Sequence, residues 1–212
     1  MIIAVDGTLA SGKGTIARAL GQAFGLPCLD TGALYRGVAV AVLEAGKDPA
    51  NPAEAAACAR ALEPASIDEA QIRTAAAGAA ASVVSAHPEV RQALFDLQRR
   101  FASQPGGAVL DGRDIGTVIC PDADVKLFVD ARPELRAQRR WQELTRRGED
   151  VDLADIARQL AERDARDAGR PNAPMKPAQD AVLLDTSQLS IDAAIREAVR
   201  IVQHKTGASP IT

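Results

Sequence analysis

A chain of 212 residues can hold one large domain or a core with small appendages, and 47% hydrophobic with 25% charged residues excludes a disordered or fibrous protein. Twenty-five basic residues against 28 acidic ones leave a net charge of −3, so no bulk field draws the chain to nucleic acid. The longest apolar run, around Val38 to Leu43, is far short of the roughly 20 residues a membrane-spanning helix needs, and Met1 to Asp6 carries no basic, apolar leader, so a cytoplasmic protein without a membrane partner is expected.

Residues 2 to 6, IIAVD, form a β-branched apolar run ended by glycine, which predicts a strand buried on both faces. From Lys13 the apolar positions Ile16, Leu20 and Phe24 recur every four residues and Gly25 closes the pattern, predicting a helix with a C-terminal glycine. A short strand from Leu26 to Leu29 ends at Asp30, and a second helix runs from about Gly32 to Glu44. Pro49, Pro52 and Pro64 then punctuate a stretch in which 14 of the 31 residues from Asn51 to Ala81 are alanine, which favours helix but buries little surface. Another helix follows Pro88, and buried strands are expected at Ala108 to Leu110, Val125 to Val129 and Ala181 to Leu184. Between Arg132 and Arg170 lie two charged helical segments, broken near Gly148, that carry 10 of the 20 arginines. They fit a solvated, salt-bridged hairpin or a phosphate-gripping lid. Cys28, Cys58 and Cys120 are odd in number, without a CxxC pair or neighbouring His, so neither a disulfide framework nor a zinc site is expected.

Strands alternating with helices predict an α/β fold: a parallel sheet of about five strands covered by helices on both faces, with ligands at the carboxyl ends of the strands. Residues 1–50, 86–131 and 171–212 are expected to form the core, 51–85 a short helical insert on the acceptor side, and 132–170 the helical lid.

Gly7-Thr8-Leu9-Ala10-Ser11-Gly12-Lys13-Gly14-Thr15 matches GxxxxGK followed by Gly-Thr, between the first strand and the first helix. That context is what a phosphate-binding loop requires: backbone N–H groups and the helix N-terminus converge on phosphate, and Lys13 reaches the β and γ oxygens. Lys13 is expected to face solvent when no nucleotide is bound. The Thr15 hydroxyl can complete a magnesium shell of phosphate oxygens and water. Asp111, ending a strand beside the loop, is a candidate either for orienting a magnesium-bound water or for capping a turn. No NKxD tetrapeptide of a guanine-reading switch occurs. The GKGT ending resembles the nucleoside monophosphate kinases.

Two further motifs, LDTGALYR at 29–36 and DGRDIGT at 111–117, follow the second and third strands. Together with the loop and the later Glu162-Arg163-Asp164, Arg166, Asp167 and Arg170, they resemble the bacterial cytidylate kinase family, in the family's order over residues 1 to 170. The resemblance implies a P-loop kinase core that moves the γ-phosphoryl group of ATP to CMP and dCMP, with Mg2+ and without a nucleic-acid partner, acting as a monomer. It implies that Arg36 and Arg113 hold the acceptor phosphate. It implies too that Thr31, Ser82, Arg91 and Asp114 surround the cytosine, and that Arg163, Asp167 and Arg170 come down from the lid. Lys13, Arg113, Arg163 and Arg170 would gather the transferring charge. A carboxylate at Asp114 can accept a hydrogen bond from the exocyclic amine of cytosine, which uracil replaces with a carbonyl. Asp114 also suits a helix cap, and Arg36 and Arg113 also suit surface ion pairs.

The chain departs from the family in two places. The acceptor-side stretch is compressed to residues 62–73, where its strands are expected to be lost, and the loop has Thr8 and Ala10 where proline and glycine are frequent. Another small-molecule P-loop kinase is the near alternative, and a nucleotide-dependent switch the distant one. Ten arginines in the lid repel one another unless acids or phosphates intervene, so the lid is expected to be loose when empty and to close over both substrates.

Overall fold

The computed structural model describes residues 1–211. By contact, the chain divides into two compact units, one formed by Met1–Leu29 with residues 101 onward and the other by Asp30–Arg100.

The first unit is built on a five-stranded sheet of β1 (Ile2–Gly7), β2 (Cys28–Asp30), β3 (Ala108–Gly112), β4 (Val125–Asp130) and β5 (Val182–Asp185). Their order is β2-β3-β1-β4-β5, and β1 pairs in parallel with both β3 and β4, as β4 does with β5. β1 is buried from Ile3 onward and β3 throughout, as the unbroken apolar runs predict. Helix α1 (Lys13–Phe24) packs Ile16 and Leu20, and α8 (Ile191–Thr206) packs Ala194, Ala198, Ile201 and Val202, into one core with Ile3, Val5, Val109, Leu127 and Val129 of the sheet. The expected periodicity of α1 is met, and Gly25 ends it in a left-handed conformation whose N–H reaches the Gly21 carbonyl.

The connection after β1 leads to the β2 side of the sheet and that after β4 to the β5 side. Such a reversal between neighbouring strands opens a crevice at their carboxyl ends. The phosphate loop leaves β1 there. After β4 the chain forms α6 (Pro133–Arg146) and α7 (Leu153–Gly169), broken as expected around Gly148, whose φ of +82° suits glycine. Ala137, Leu144, Ile156 and Leu160 form the small core between these two helices, and Leu9 of the phosphate loop packs against it.

The second unit is helical. It holds α2 (Thr31–Glu44), α3 (Pro52–Arg60), α4 (Ala75–Val84) and most of α5 (Pro88–Ala102), with 3-10 turns at Pro64–Ser66 and Gln71–Arg73. Side chains of Asp30, Asn51 and Thr74 cap α2, α3 and α4. The alanine-rich stretch is thus helical, and Ala55, Ala56, Ala59, Ala77 and Ala81 are buried in it. No strand lies between residues 51 and 85 among the described residues. The unit is wider than the 51–85 insert drawn from the sequence, because α2 packs on both α3 and α4.

Candidate active site

The phosphate loop begins where Gly7 of β1 stands opposite Val129 of β4. A Cβ on Gly7 would lie 1.9 Å from the Val129 carbonyl oxygen, so only glycine lets the chain turn out of the sheet there. Ala10 adopts φ +61°, a left-handed conformation in which glycine would be unstrained. Thr8 is buried, and its hydroxyl donates to Asp130 at 2.6 Å, while the Ser11 hydroxyl donates to the Thr8 carbonyl at 2.9 Å. Thr8 therefore tethers the loop to the end of β4. Two arginines of α6 hold loop carbonyls from outside: Arg136 donates to Leu9 O at 3.4 Å and Arg139 to Ser11 O at 3.3 Å. Thr186, just past β5, donates to Ser11 O at 2.8 Å and accepts from Arg139 at 3.0 Å. With these carbonyls tied back, the loop's N–H groups are the groups left to meet an anion.

Lys13 does not face solvent as expected from the sequence. Its side chain is 11% exposed, and its ammonium lies 3.6 Å from the Asp111 carboxylate, itself 7% exposed. The reason is close packing of α1 on β3: a Cβ on Gly14 would come within 2.9 Å of Asp111 Oδ2, so the glycine of GKGT makes room for that carboxylate. Asp111 thus stands beside both Lys13 and the first turn of α1. Hard oxygen donors from Asp111 and the Thr15 hydroxyl suit magnesium, whose remaining ligands come from phosphate and water. Among the described residues no group of three or more His, Cys, Asp or Glu could hold a metal by itself.

β3 delivers Arg113 and Asp114 at its carboxyl end. Asp114 is 5% exposed and makes no side-chain cap to the turn that follows, Ile115–Ile119, so the capping role that its position also suited is excluded. Beneath it lies Asp6, 4% exposed, whose two carboxylate oxygens accept from the backbone N–H groups of Ile115 at 2.8 Å and Gly116 at 2.7 Å. Burial pushes the Asp6 carboxyl up to about 7 against the pull of those two hydrogen bonds, with the nearby Asp114 and Asp111 charges adding to the rise.

The motif from Glu162 to Arg170 folds into a hub around Asp167, whose side chain is 4% exposed. Arg113 donates to it from Nε at 3.1 Å, and the guanidiniums of Arg163 and Arg170 lie 3.8 and 3.9 Å away. Burial raises the Asp167 pKa, but the Arg113, Arg163 and Arg170 charges outweigh it and hold the carboxyl below the usual range. The expected uncompensated repulsion in this segment is met by pairing within it. Arg136 pairs with Asp164 at 2.7 Å, Arg140 and Arg147 with Glu143, and Arg158 with Asp155 and Glu162.

In the second unit, Arg36 pairs with Asp30 at 2.7 Å, Arg91 stacks 5.7 Å over the Tyr35 ring, and Thr31 and Ser82 are buried at 3% exposure each. Of the residues singled out in the sequence, the structure gathers Lys13, Asp111, Arg113, Asp114, Arg163, Asp167 and Arg170 in the first unit, and Thr31, Arg36, Ser82 and Arg91 belong to the second. Sequence reasoning missed Arg136, Arg139, Thr186 and Asp6. For the first two a signal existed: their spacing of three on α6 puts both on one helix face.

The family model described as cytidylate kinase matches residues 3–204. The chain belongs to the cytidylate kinase family. A cytidylate kinase of Methylocella silvestris is 57% identical over 203 residues, covering 96% of this chain and 94% of that protein. Cytidylate kinases of Caulobacter vibrioides and Rhodopseudomonas palustris are each 55% identical, the first over 95% of both chains and the second over 96% of both. Among solved structures, an uncharacterized protein from Eubacterium ventriosum superposes with a TM-score of 0.56 at 16% identity, covering 96% of this chain and 98% of that one. A sugar kinase from Janibacter sp. HTCC2649 gives 0.51 at 14%, covering 95% and 94%. At such identities these two likenesses concern the fold alone. Membership implies ATP as the phosphoryl donor, and no helix among the described residues is long and apolar enough to cross a membrane.

Proposed function

We propose that the chain transfers the γ-phosphoryl group of ATP to the phosphate of CMP and dCMP, giving ADP and the nucleoside diphosphate. The observation that carries this is the family match along almost the whole chain, with the phosphate loop and the Arg113-Asp114 turn at the carboxyl ends of adjacent strands. A phosphate monoester has its second pKa near about 6 and is mostly dianionic at neutral pH, so the acceptor is already a nucleophile and no general base is needed. The protein's task is alignment and charge neutralisation.

The loop N–H groups and Lys13 bind the donor phosphates. Thr15 and, through a bound water, Asp111 would hold Mg2+, which would supply charge neutralisation of the phosphate oxygens. Arg36 and Arg113 take the acceptor phosphate, and Arg163 and Arg170 come to the transferring group as the lid, residues 132–170, closes. Asp167 then serves both as their counter-ion and as a contact to the acceptor. Thr31, Ser82, Arg91 and Asp114 read the base. Asp114 is supported by its burial at the carboxyl end of β3, directly after Arg113.

The test is discrimination between CMP and UMP. Uracil sets a carbonyl against the Asp114 carboxylate, and a buried acceptor pair of that kind costs about 1–3 kcal/mol. The variant Asp114→Asn can donate to that carbonyl, so its ratio of kcat/KM for CMP over UMP should narrow by about 5- to 150-fold. An unchanged ratio removes Asp114 from base reading.

A further inference from the structure

The acid that ends β1 has no part in the chemistry described so far, yet it is nearly solvent-free and fully engaged. Asp6 immediately precedes Gly7, the first residue of the phosphate loop, and stands opposite Gly112 in the β1–β3 ladder. Its carboxylate does not pair with a cation there. It reaches past the end of β3 and accepts one backbone N–H on each oxygen, Ile115 N at 2.8 Å and Gly116 N at 2.7 Å.

Two bonds to successive peptide groups fix both the position and the tilt of that segment, whereas one bond would leave it free to pivot. The turn they hold is an unusual one. Ile115–Ile119 winds with five-residue hydrogen bonds, Ile119 N to Asp114 O at 3.2 Å and Cys120 N to Ile115 O at 2.6 Å, and Asp114 enters it at φ −142°, ψ 25°. Its first N–H groups therefore rely on the Asp6 carboxylate. A Cβ on Gly116 would reach ordinary contact with Asp6 Oδ2 at 3.4 Å and press on Lys126 Cδ at 3.1 Å, so the turn packs closely against both side chains. Arg113 and Asp114 are the two residues directly before this anchored pair. One short carboxylate thus links the peptide that starts the donor-phosphate loop to the turn that presents both acceptor residues.

We infer that Asp6 is a positioning residue for the acceptor: through Ile115 and Gly116 it sets Arg113 and Asp114 in register with the phosphate loop. This rests on the reading of Arg113 and Asp114 as acceptor-binding residues. Asn is nearly the same size but presents an N–H where one oxygen accepted, so Asp6→Asn turns one of the two anchoring bonds into a clash between donors. The turn then tilts, and CMP meets misplaced partners while the loop, held independently by Thr8, Ser11, Thr186 and the α6 arginines, keeps its shape.

The experiment is a steady-state KM and kcat comparison with ATP and CMP varied in turn, on the full chain, for wild type, Asp6→Asn, Gly116→Ala and Arg113→Ala. Displacements on the order of 1 Å cost up to about a hundredfold, so Asp6→Asn should lower kcat/KM for CMP by roughly ten- to a hundredfold, chiefly through KM, with the KM for ATP within about twofold of wild type. Gly116→Ala crowds the same anchored turn against Lys126 and should show the same split with a smaller shift. It decides the matter should Asp6→Asn fail to fold. A KM for CMP that stays at the wild-type value, or a KM for ATP that rises in parallel with it, overturns the positioning role. Arg113→Ala separates the two levels. If it raises the KM for CMP while Asp6→Asn and Gly116→Ala do not, only the positioning role fails; if it leaves that KM unchanged, the acceptor assignment itself fails.

Discussion

Replacing Asp167 by asparagine tests how the arginines are held before any phosphate arrives. The carboxylate is 4% exposed and faces three guanidiniums, Arg113 at 3.1 Å, Arg163 at 3.8 Å and Arg170 at 3.9 Å. Asparagine keeps the shape and can still accept from Arg113 Nε, but it removes a negative charge that all three share. Removing one partner of a buried ion pair costs about 3–5 kcal/mol, and the retained hydrogen bond argues for the lower end, about 3. For a chain of this size 1 kcal/mol moves Tm by about 2–4 °C, so Asp167→Asn should melt about 6–12 °C below wild type at pH 7. The deficit has a definite pH dependence. The folded pKa of Asp167 lies below its unfolded value of about 3.9, so its stabilisation is fully present above that value and is lost as pH falls through the depressed folded pKa. The gap between variant and wild type should accordingly be constant from pH 8 to pH 5 and close in strong acid. Inorganic phosphate or CMP should restore the variant more than it raises wild type, since a bound anion supplies the missing charge; saturation at a hundred times Kd adds about 2.7 kcal/mol. Melting curves from pH 8 to pH 3, with and without CMP, measure all of this. A Tm within 2 °C of wild type at pH 7, or a deficit that neither acid nor CMP changes, would refute the idea that Asp167 organises the arginines.

Lys13→Ala should lower kcat by about a hundredfold or more, as loss of a group aimed at developing charge does, and turnover within tenfold of wild type would remove Lys13 from phosphoryl transfer. It should also lose about 1–3 kcal/mol of stability, because Asp111 is left 7% exposed without its ammonium partner. Ala10→Gly relieves a left-handed alanine and should stabilise by about 1 kcal/mol, read as a Tm rise of a few degrees; a fall in Tm would mean the loop holds no strain there. Asp6 has a folded pKa of about 7, above its unfolded value, so the native state binds the extra proton as pH drops from 7 towards 4. Wild type should therefore gain stability relative to Asp6→Asn over that interval, and parallel curves would show that Asp6 does not titrate there.

What was legible in the sequence is what depends on neighbours along the chain. The strand, glycine loop and helix from Ile2 to Phe24 could be read because burial, φ demands and capping all act within a few residues. The same is true of the break at Gly148 and the alanine-rich helices α3 and α4. What escaped was set by partners about a hundred residues away or more. Asp6 reads as an acid ending a strand, and nothing local says that its oxygens will meet Ile115 and Gly116. Lys13 reads as a solvent-facing lysine until β3 brings Asp111 against the first turn of α1. For Arg136 and Arg139 the spacing gives a shared helix face but not what that face holds, since the carbonyls of Leu9 and Ser11 become their neighbours through the sheet order. The charge balance of residues 132–170 was misjudged for a related reason: net counts ignore that one buried carboxylate, Asp167, faces three arginines.

The most direct measurement is ADP release from ATP by the purified chain with CMP, dCMP, UMP, AMP or shikimate as acceptor, each in the presence of Mg2+. Turnover with CMP and dCMP, with a kcat/KM for either that exceeds the UMP value and with AMP and shikimate near background, is the predicted result. Preferred turnover of AMP or shikimate, or ADP release that no acceptor stimulates, would contradict it.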